Sequence, residues 1–126
     1  MSGLDALQGR RVLVVEDELM IAMLVEDMLA DLGCTVVGPA HTLEMALKAV
    51  EAEPQIDAAL LDVNLAGQPV FPVADALRAR HAPLIFSTGY GEAGLRDVDA
   101  GSPVLQKPFR AGDLAKALQN ALGIAA

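Results

Sequence analysis

Residues 11–18 read Arg-Val-Leu-Val-Val-Glu-Asp-Glu, and this stretch decides the fold. Val12 to Val15 are apolar without a polar interruption. A strand with one solvated face alternates apolar and polar side chains, whereas a strand covered on both faces is apolar throughout. Arg11–Val15 is therefore expected as an inner strand of a parallel sheet, with helices packed above and below it. The run stops abruptly at Glu16 and Asp17, which puts two carboxylates just past its carboxyl end.

The same arrangement recurs along the chain. Ala58-Ala-Leu-Leu61 ends in Asp62, Leu84-Ile-Phe86 leads to Thr88, and Val104-Leu105 leads to Lys107. Strands are expected over residues 11–15, 35–37, 56–61, 83–86 and 104–105. Between the first two, Ile21, Leu24, Val25, Met28, Leu29 and Leu32 recur at helical spacing, with Gly33 placed to cap the end. Thr42 is placed to cap a second helix whose buried stripe is Leu43, Ala46, Leu47 and Val50, and Pro54 ends it. Residues 64–72, with Gly67, Pro69 and Pro72, read as a loop before a helix over 73–80. Residues 88–91, Thr-Gly-Tyr-Gly, read as a tight polar turn. Residues 92–101 carry only weak helical periodicity, with glycine at 94 and 101. Leu114, Ala117, Leu118, Ala121 and Leu122 mark a last helix. There are no repeats, linkers or low-complexity segments, so residues 1–126 form one domain with its core at about 11–122.

Strands alternating with helices imply right-handed β-α-β units and a doubly wound α/β fold. Five strands are expected in the order 2-1-3-4-5, flanked by five helices, with the ligand site outside the carboxyl ends of the strands. Strands one and three are then neighbours, so Glu16, Asp17 and Asp62 meet, with Thr88 and Lys107 beside them.

Composition narrows the partners. Of 126 residues, 53% are hydrophobic and only 3% aromatic, so the core is aliphatic. The formal net charge of −8 disfavours nucleic acid, whose phosphates select basic surfaces. The longest apolar run covers residues 19–25, far short of the roughly 20 residues that span a bilayer. The N-terminus has neither the basic start nor the apolar stretch of a signal peptide. Cys34 is the single cysteine and has no internal disulfide partner, which fits a reducing cytoplasm.

Three carboxylates at one sheet edge repel one another unless a cation joins them, and hard oxygen ligands suit Mg²⁺. Asp62 is placed as a nucleophile, since carboxylates attack phosphorus to give an aspartyl phosphate. The metal, Lys107 and the Thr88 hydroxyl supply the positioning and charge neutralisation that phosphoryl transfer needs. Each residue also has an ordinary structural use: Asp17 as a helix cap, Lys107 as a surface lysine, Thr88 as a turn residue. Their joint placement at the same end of successive strands favours the site. His41 and His81 have no partners at ligand spacing and read as surface residues. Cys34 reads as a small buried side chain, and Met20, Met23, Met28 and Met45 as helix packing.

Val14-Val-Glu-Asp-Glu18, Leu60-Leu-Asp-Val-Asn-Leu65, Ser87-Thr88 and Lys107-Pro-Phe109 together resemble the receiver domain of bacterial two-component response regulators, a CheY-like family with a flavodoxin-like fold. The resemblance runs from about residue 11 to 122. It implies that Asp62 is the phosphoacceptor and that Asp17 binds Mg²⁺ directly, with Glu16 acting mainly through water. It further implies that Asn64 offers its backbone carbonyl to the metal, that Thr88 bonds a phosphoryl oxygen and that Lys107 pairs with the phosphoryl group. The Lys107-Pro108 bond is expected to be cis. Many receivers carry Tyr or Phe three residues before the lysine, where this chain has Val104. That departure, and the Phe86-Ser-Thr-Gly-Tyr90 run, resemble the FATGUY subgroup of stand-alone receivers, served by histidine kinases of the HWE or related type.

The resemblance implies a free-standing regulator that takes phosphate from a histidine kinase or phosphotransfer protein. It would act as a phosphoacceptor with at most slow autodephosphorylation, signalling through protein contact or drawing phosphate from another regulator. The responsive face is expected to be the fourth helix, fifth strand and fifth helix, with 88–101 as the element that reorders. A receiver excised from a hybrid kinase or longer regulator would read alike. A haloacid-dehalogenase-type phosphatase wants an acid two residues after its nucleophile, and Asn64 stands there. A degenerate receiver that binds partners without phosphorylation is disfavoured by the full residue set.

Overall fold

The computed structural model describes residues 5–89 and 95–124. A five-stranded parallel sheet is built from β1 (Arg11–Val15), β2 (Thr35–Ala40), β3 (Ala58–Asp62), β6 (Leu84–Thr88) and β7 (Val104–Gln106). Its order is β2-β1-β3-β6-β7, the expected 2-1-3-4-5. A separate antiparallel pair, β4 (Asn64–Leu65) and β5 (Gln68–Pro69), follows β3. The helices are α1 (Leu19–Asp31), α2 (Leu43–Ala52), α3 (Phe71–Ala79) and α4 (Ala111–Leu122).

Period-two alternation sorts the strand residues into two cores. Leu13, Val15, Ala59, Leu61 and Phe86 pack with Ala46 and Val50 of α2 and Val73 and Leu77 of α3. Val12, Val14, Ala58, Leu60, Ile85 and Leu105 pack with Val25 and Leu29 of α1 and Leu114 and Leu118 of α4. Each fully buried Leu, Ile or Phe side chain contributes about 1.5–3 kcal/mol relative to exposure. Leu7, in a 3-10 turn ahead of β1, closes the second cluster and is fully buried.

The expected fourth helix, between β6 and β7, is not found, whereas the expected fifth is α4: among the described residues there are four α-helices. The described part of 92–101 holds only a 3-10 turn, Asp97–Asp99, entered from an extended Arg96. Its side chains bond to α3 rather than forming an apolar helical face, as set out below. The segment 88–91 and the subgroup run through Tyr90 lie partly outside the described residues. The stretch read as a loop, 64–72, instead holds the β4–β5 hairpin and the first turn of α3, with Pro72 in that turn. Its turn residues, Ala66 (φ 51) and Gly67 (φ 86), both have positive φ, as a two-residue type I′ hairpin turn requires. Strand β2 runs past its expected end, through a cis Gly38-Pro39 bond, to Ala40.

Helix signals hold in part. Thr42 caps α2, its hydroxyl accepting from Met45 N–H at 3.1 Å. On α1, Val25 and Leu29 are buried, but Leu24 is 57% exposed, as are Leu19, Met20 and Met23 to similar or greater degree. Met45 and Leu47 of α2 are also exposed rather than packed. A helix that is apolar on several faces satisfies the 3.6-residue spacing in more than one register, so periodicity alone does not fix its buried side.

Candidate phosphoacceptor site

The sheet register brings the candidate residues together. Val15 pairs with Leu61, so Glu16 and Asp62 stand level just beyond that pair. Asp62 pairs with Ser87, and Thr88 pairs with Gln106, the residue before Lys107. Glu16 stays strand-like, its N–H donating to Ala40 O at 3.0 Å. Glu16 and Asp62 continue the strand parity of Val14 and Leu60, and Lys107 that of Leu105, all three on the α1/α4 side of the sheet.

The contacts follow from that parity. Lys107 Nζ donates to Glu16 Oε1 at 2.6 Å and to Asp62 Oδ2 at 3.1 Å. Asp62 Oδ1 accepts from Asn64 N–H at 3.2 Å. Glu16 Oε2 accepts from Glu18 N–H at 3.1 Å, and Glu16 O lies 3.0 Å from His41 Nδ1. Asp17 Oδ2 accepts from Ala66 N–H, at the hairpin turn, at 3.1 Å. Carboxylate oxygens of Glu16, Asp17 and Asp62 all lie within 4.8 Å of one another. Glu16 and Asp62 are buried and Asp17 is half-buried. The Lys107-Pro108 bond is cis, as expected.

Crowded carboxylates shift each other's protonation. Burial first, then the hydrogen bonds with Asp17 and Glu16 and the charge on Glu16, push the Asp62 carboxyl up to about 8, against a smaller downward pull from Lys107. Burial also pushes Asp17 upward, but its bonds with Asp62, Glu16 and backbone N–H groups outweigh this and leave it low. Burial works against the Lys107 ammonium, yet its two carboxylate partners raise it overall. The donor set is all hard oxygen, two of the three groups are buried, and one ammonium faces two of them. That set fits a small hard divalent cation, which would displace the proton from Asp62.

Thr88 is buried at the end of β6, and its carbonyl accepts from Lys107 N–H at 2.8 Å. Asn64 is exposed and pairs with Pro69 in the hairpin. Val104, three residues before Lys107, is 46% exposed on β7. Three features escaped the sequence reading. His41 touches the Glu16 carbonyl, although it carried only a surface role. The Ala66 amide holds Asp17, and the Ala66-Gly67 dipeptide was its available signal. A groove of about 320 Å³ runs from Lys107 along α1, lined by Ile21, Leu24, Val25, Met28 and Phe109. Among the described residues, no helix is long and apolar enough to cross a membrane.

A family model described as the response regulator receiver domain matches residues 12–119. The transcriptional regulatory protein PdtaR of Mycobacterium tuberculosis is 32% identical over 122 residues, covering 94% of this chain but 59% of PdtaR. The solution structure of SdrG from Sphingomonas melonis Fr1 is 44% identical, with a TM-score of 0.80, covering 97% of this chain and 99% of SdrG. The receiver domain of the sensor histidine kinase PA1611 from Pseudomonas aeruginosa PAO1 is 30% identical, with a TM-score of 0.77, covering 91% of this chain and 98% of that domain. That structure has a magnesium ion coordinated in its active-site cleft. The chain belongs to the response regulator receiver family.

Proposed function

We propose that this receiver domain accepts a phosphoryl group on Asp62 from a histidine kinase or phosphotransfer protein. The observation that carries the reading is the Asp62 carboxylate, buried at a strand end between two other carboxylates and bonded by Lys107. In the transfer, an Asp62 oxygen forms a bond to phosphorus while the donor's N–P bond breaks. The electron pair leaves on the imidazole, which takes a proton from solvent. Little covalent work falls to the protein in such a step, so positioning and charge neutralisation dominate.

Glu16, Asp17, Asp62 and the Asn64 carbonyl would hold Mg²⁺, which supplies the positive charge that offsets the transferred phosphoryl group. Lys107 then exchanges its bond to Asp62 Oδ2 for one to a phosphoryl oxygen, keeping Glu16 as its second partner. The Thr88 hydroxyl stands at the neighbouring strand end to bond another phosphoryl oxygen. The chain turns over no substrate, apart from slow hydrolysis of its own acyl phosphate. Asn64 supports this, because an amide two residues after the nucleophile offers no acid to speed release.

A donor must bring its phosphohistidine to Asp62. The apolar groove along α1, continued by exposed Leu19, Met20 and Met23, borders that approach and suits an apolar helical surface on the donor. The chain would work in the cytoplasm, with its output through protein contact or as a phosphate sink. The match across nearly all of SdrG supports a free-standing regulator. The 59% coverage of PdtaR and the kinase-borne PA1611 domain support a second setting, as the receiver of a longer protein. Phosphotransfer profiling against a panel of autophosphorylated histidine kinases, HWE type included, tests the reading. Rapid transfer from one or a few kinases is expected, and no transfer from any would overturn it.

A further inference from the structure

Away from the carboxylate site, four charged residues and one aromatic ring join two elements with no sequence contact. Asp99 is fully buried and accepts from Arg78 Nη1 at 2.7 Å and from Arg96 Nε at 2.8 Å. Arg96 also makes a two-pronged bond to Asp75, at 2.8 and 3.2 Å, and stacks on Phe71, its guanidinium carbon 4.4 Å from the ring centre. Phe71, Asp75 and Arg78 belong to α3, and Arg96 and Asp99 to the stretch that follows β6.

The placement matters because of what each side connects. Chain leaving Thr88 must pass through Arg96 and Asp99 to reach β7 and Lys107. Chain leaving Asp62 passes through the β4–β5 hairpin into α3. The network therefore ties the connection between Thr88 and Lys107 to the helix that follows Asp62. An isolated surface ion pair contributes little, but a buried carboxylate stripped of its partners is strongly unfavourable. Here burial of Asp99, two-pronged geometry and ring stacking occur together. Burial pushes the Asp99 carboxyl up, but the two arginines outweigh it and hold it ionised.

We propose that Arg78, Asp99, Arg96 and Asp75 form a latch that sets the threshold for movement of residues 95–103, the described part of the connection that leads to Lys107. With the latch closed, that stretch moves only together with α3. Opening it uncovers Asp99 and releases the stretch from 95 onward. Arg96 is the pivot, since among the described residues it alone bonds or stacks with Phe71, Asp75 and Asp99 together. This proposal rests on Asp62 being the phosphoacceptor only for its effect on labelling, and its effect on chain opening is independent of that reading.

The test compares Arg96→Gln, Arg96→Lys and Asp75→Ala with the parent protein. In unmodified protein, without phosphodonor, amide hydrogen exchange over residues 95–103 should speed up about tenfold in Arg96→Gln. Arg96→Lys, which cannot form the planar two-pronged bond, should rise about three- to fivefold, and so should Asp75→Ala. Exchange in β1 and β3 should not change. The Mg²⁺-dependent rate of labelling by acetyl phosphate should rise severalfold in the same order, because a loosened connection moves more readily. Unchanged exchange over 95–103 in folded Arg96→Gln or Asp75→Ala overturns the latch. Faster exchange with unaltered labelling overturns its role in switching and leaves a structural tie. Faster exchange with no labelling of any variant or of the parent instead overturns the phosphoacceptor reading and leaves the latch standing. If Arg96→Gln fails to fold, Asp75→Ala decides, since its side chain is more than half exposed and its removal opens no cavity.

Discussion

Lys107 Nζ sits 3.1 Å from Asp62 Oδ2 with its other bond on Glu16, so one ammonium bridges two buried acidic side chains. Strands β3 and β7 are not neighbours in the sheet, since β6 lies between them. The lysine side chain crosses that strand, which ties the two sides of the site across the end of Thr88's strand. The remaining charge is unbalanced, and several outcomes follow from it.

Replacing Lys107 with Met leaves Glu16 and Asp62 facing each other without their cation. At pH 8 and without metal, unfolding by urea should show a loss of about 2–3 kcal/mol, the scale of breaking a buried pair. Adding Mg²⁺ should recover part of that loss. Equal stability of the variant and parent would mean that the ammonium does not hold the site together.

Asp62 takes its proton well above the ordinary carboxyl value of 3.8, at about 8. Between those values the folded chain holds a proton that the unfolded chain has released. Its contribution is thus full at the acidic end of the window and is lost as pH rises towards 8. The slope from this one group is at most about 1.4 kcal/mol per pH unit. Asp62→Asn removes the titration, so the parent should fall in stability relative to the Asn variant from pH 5 to 8. Denaturation series at several pH values, with EDTA present, measure it.

Ala66 holds φ 51, a conformation that costs an L-residue free energy and glycine little. Ala66→Gly should stabilise the protein by about 0.5–1 kcal/mol in thermal or urea unfolding. The backbone N–H that holds Asp17 is retained, so Mg²⁺ affinity should stay within about twofold, a free-energy change below about 0.4 kcal/mol.

Thr42→Ala deletes the hydroxyl that accepts from Met45 N–H. A loss of about 1 kcal/mol is expected, with phosphoryl labelling unaffected, because the cap lies at the start of α2 and touches no member of the carboxylate cluster.

The sequence disclosed the sheet and its edge well, for a physical reason. A strand covered on both faces has no polar alternation, so the apolar runs at 12–15, 58–61 and 84–86 stand out and end abruptly at polar side chains that stay buried at the sheet edge. Glu16, Asp17, Asp62, Thr88 and Lys107 were legible because each ends such a run. Contacts that depend on backbone groups were not. The Ala66 N–H reaches Asp17 only once the hairpin turn has formed, and the Ala66-Gly67 dipeptide signals the turn but not the partner. Residues 92–101 misled because their few apolar residues satisfy weak helical spacing. From residue 95 onward the structure is set by Arg96 and Asp99 pairing with α3, contacts that span 21 residues. On α1, Leu24 matched the buried stripe by spacing yet lies outside it. A helix with apolar residues on several faces has no unique inner side until its neighbours are known.

The most direct measurement is covalent labelling of the intact protein by acetyl phosphate, followed by mass spectrometry with and without Mg²⁺. The account expects a single Mg²⁺-dependent phosphoryl adduct that hydroxylamine removes, as it does an acyl phosphate, and no adduct in Asp62→Asn. A full-level, Mg²⁺-dependent adduct that persists in Asp62→Asn would contradict it.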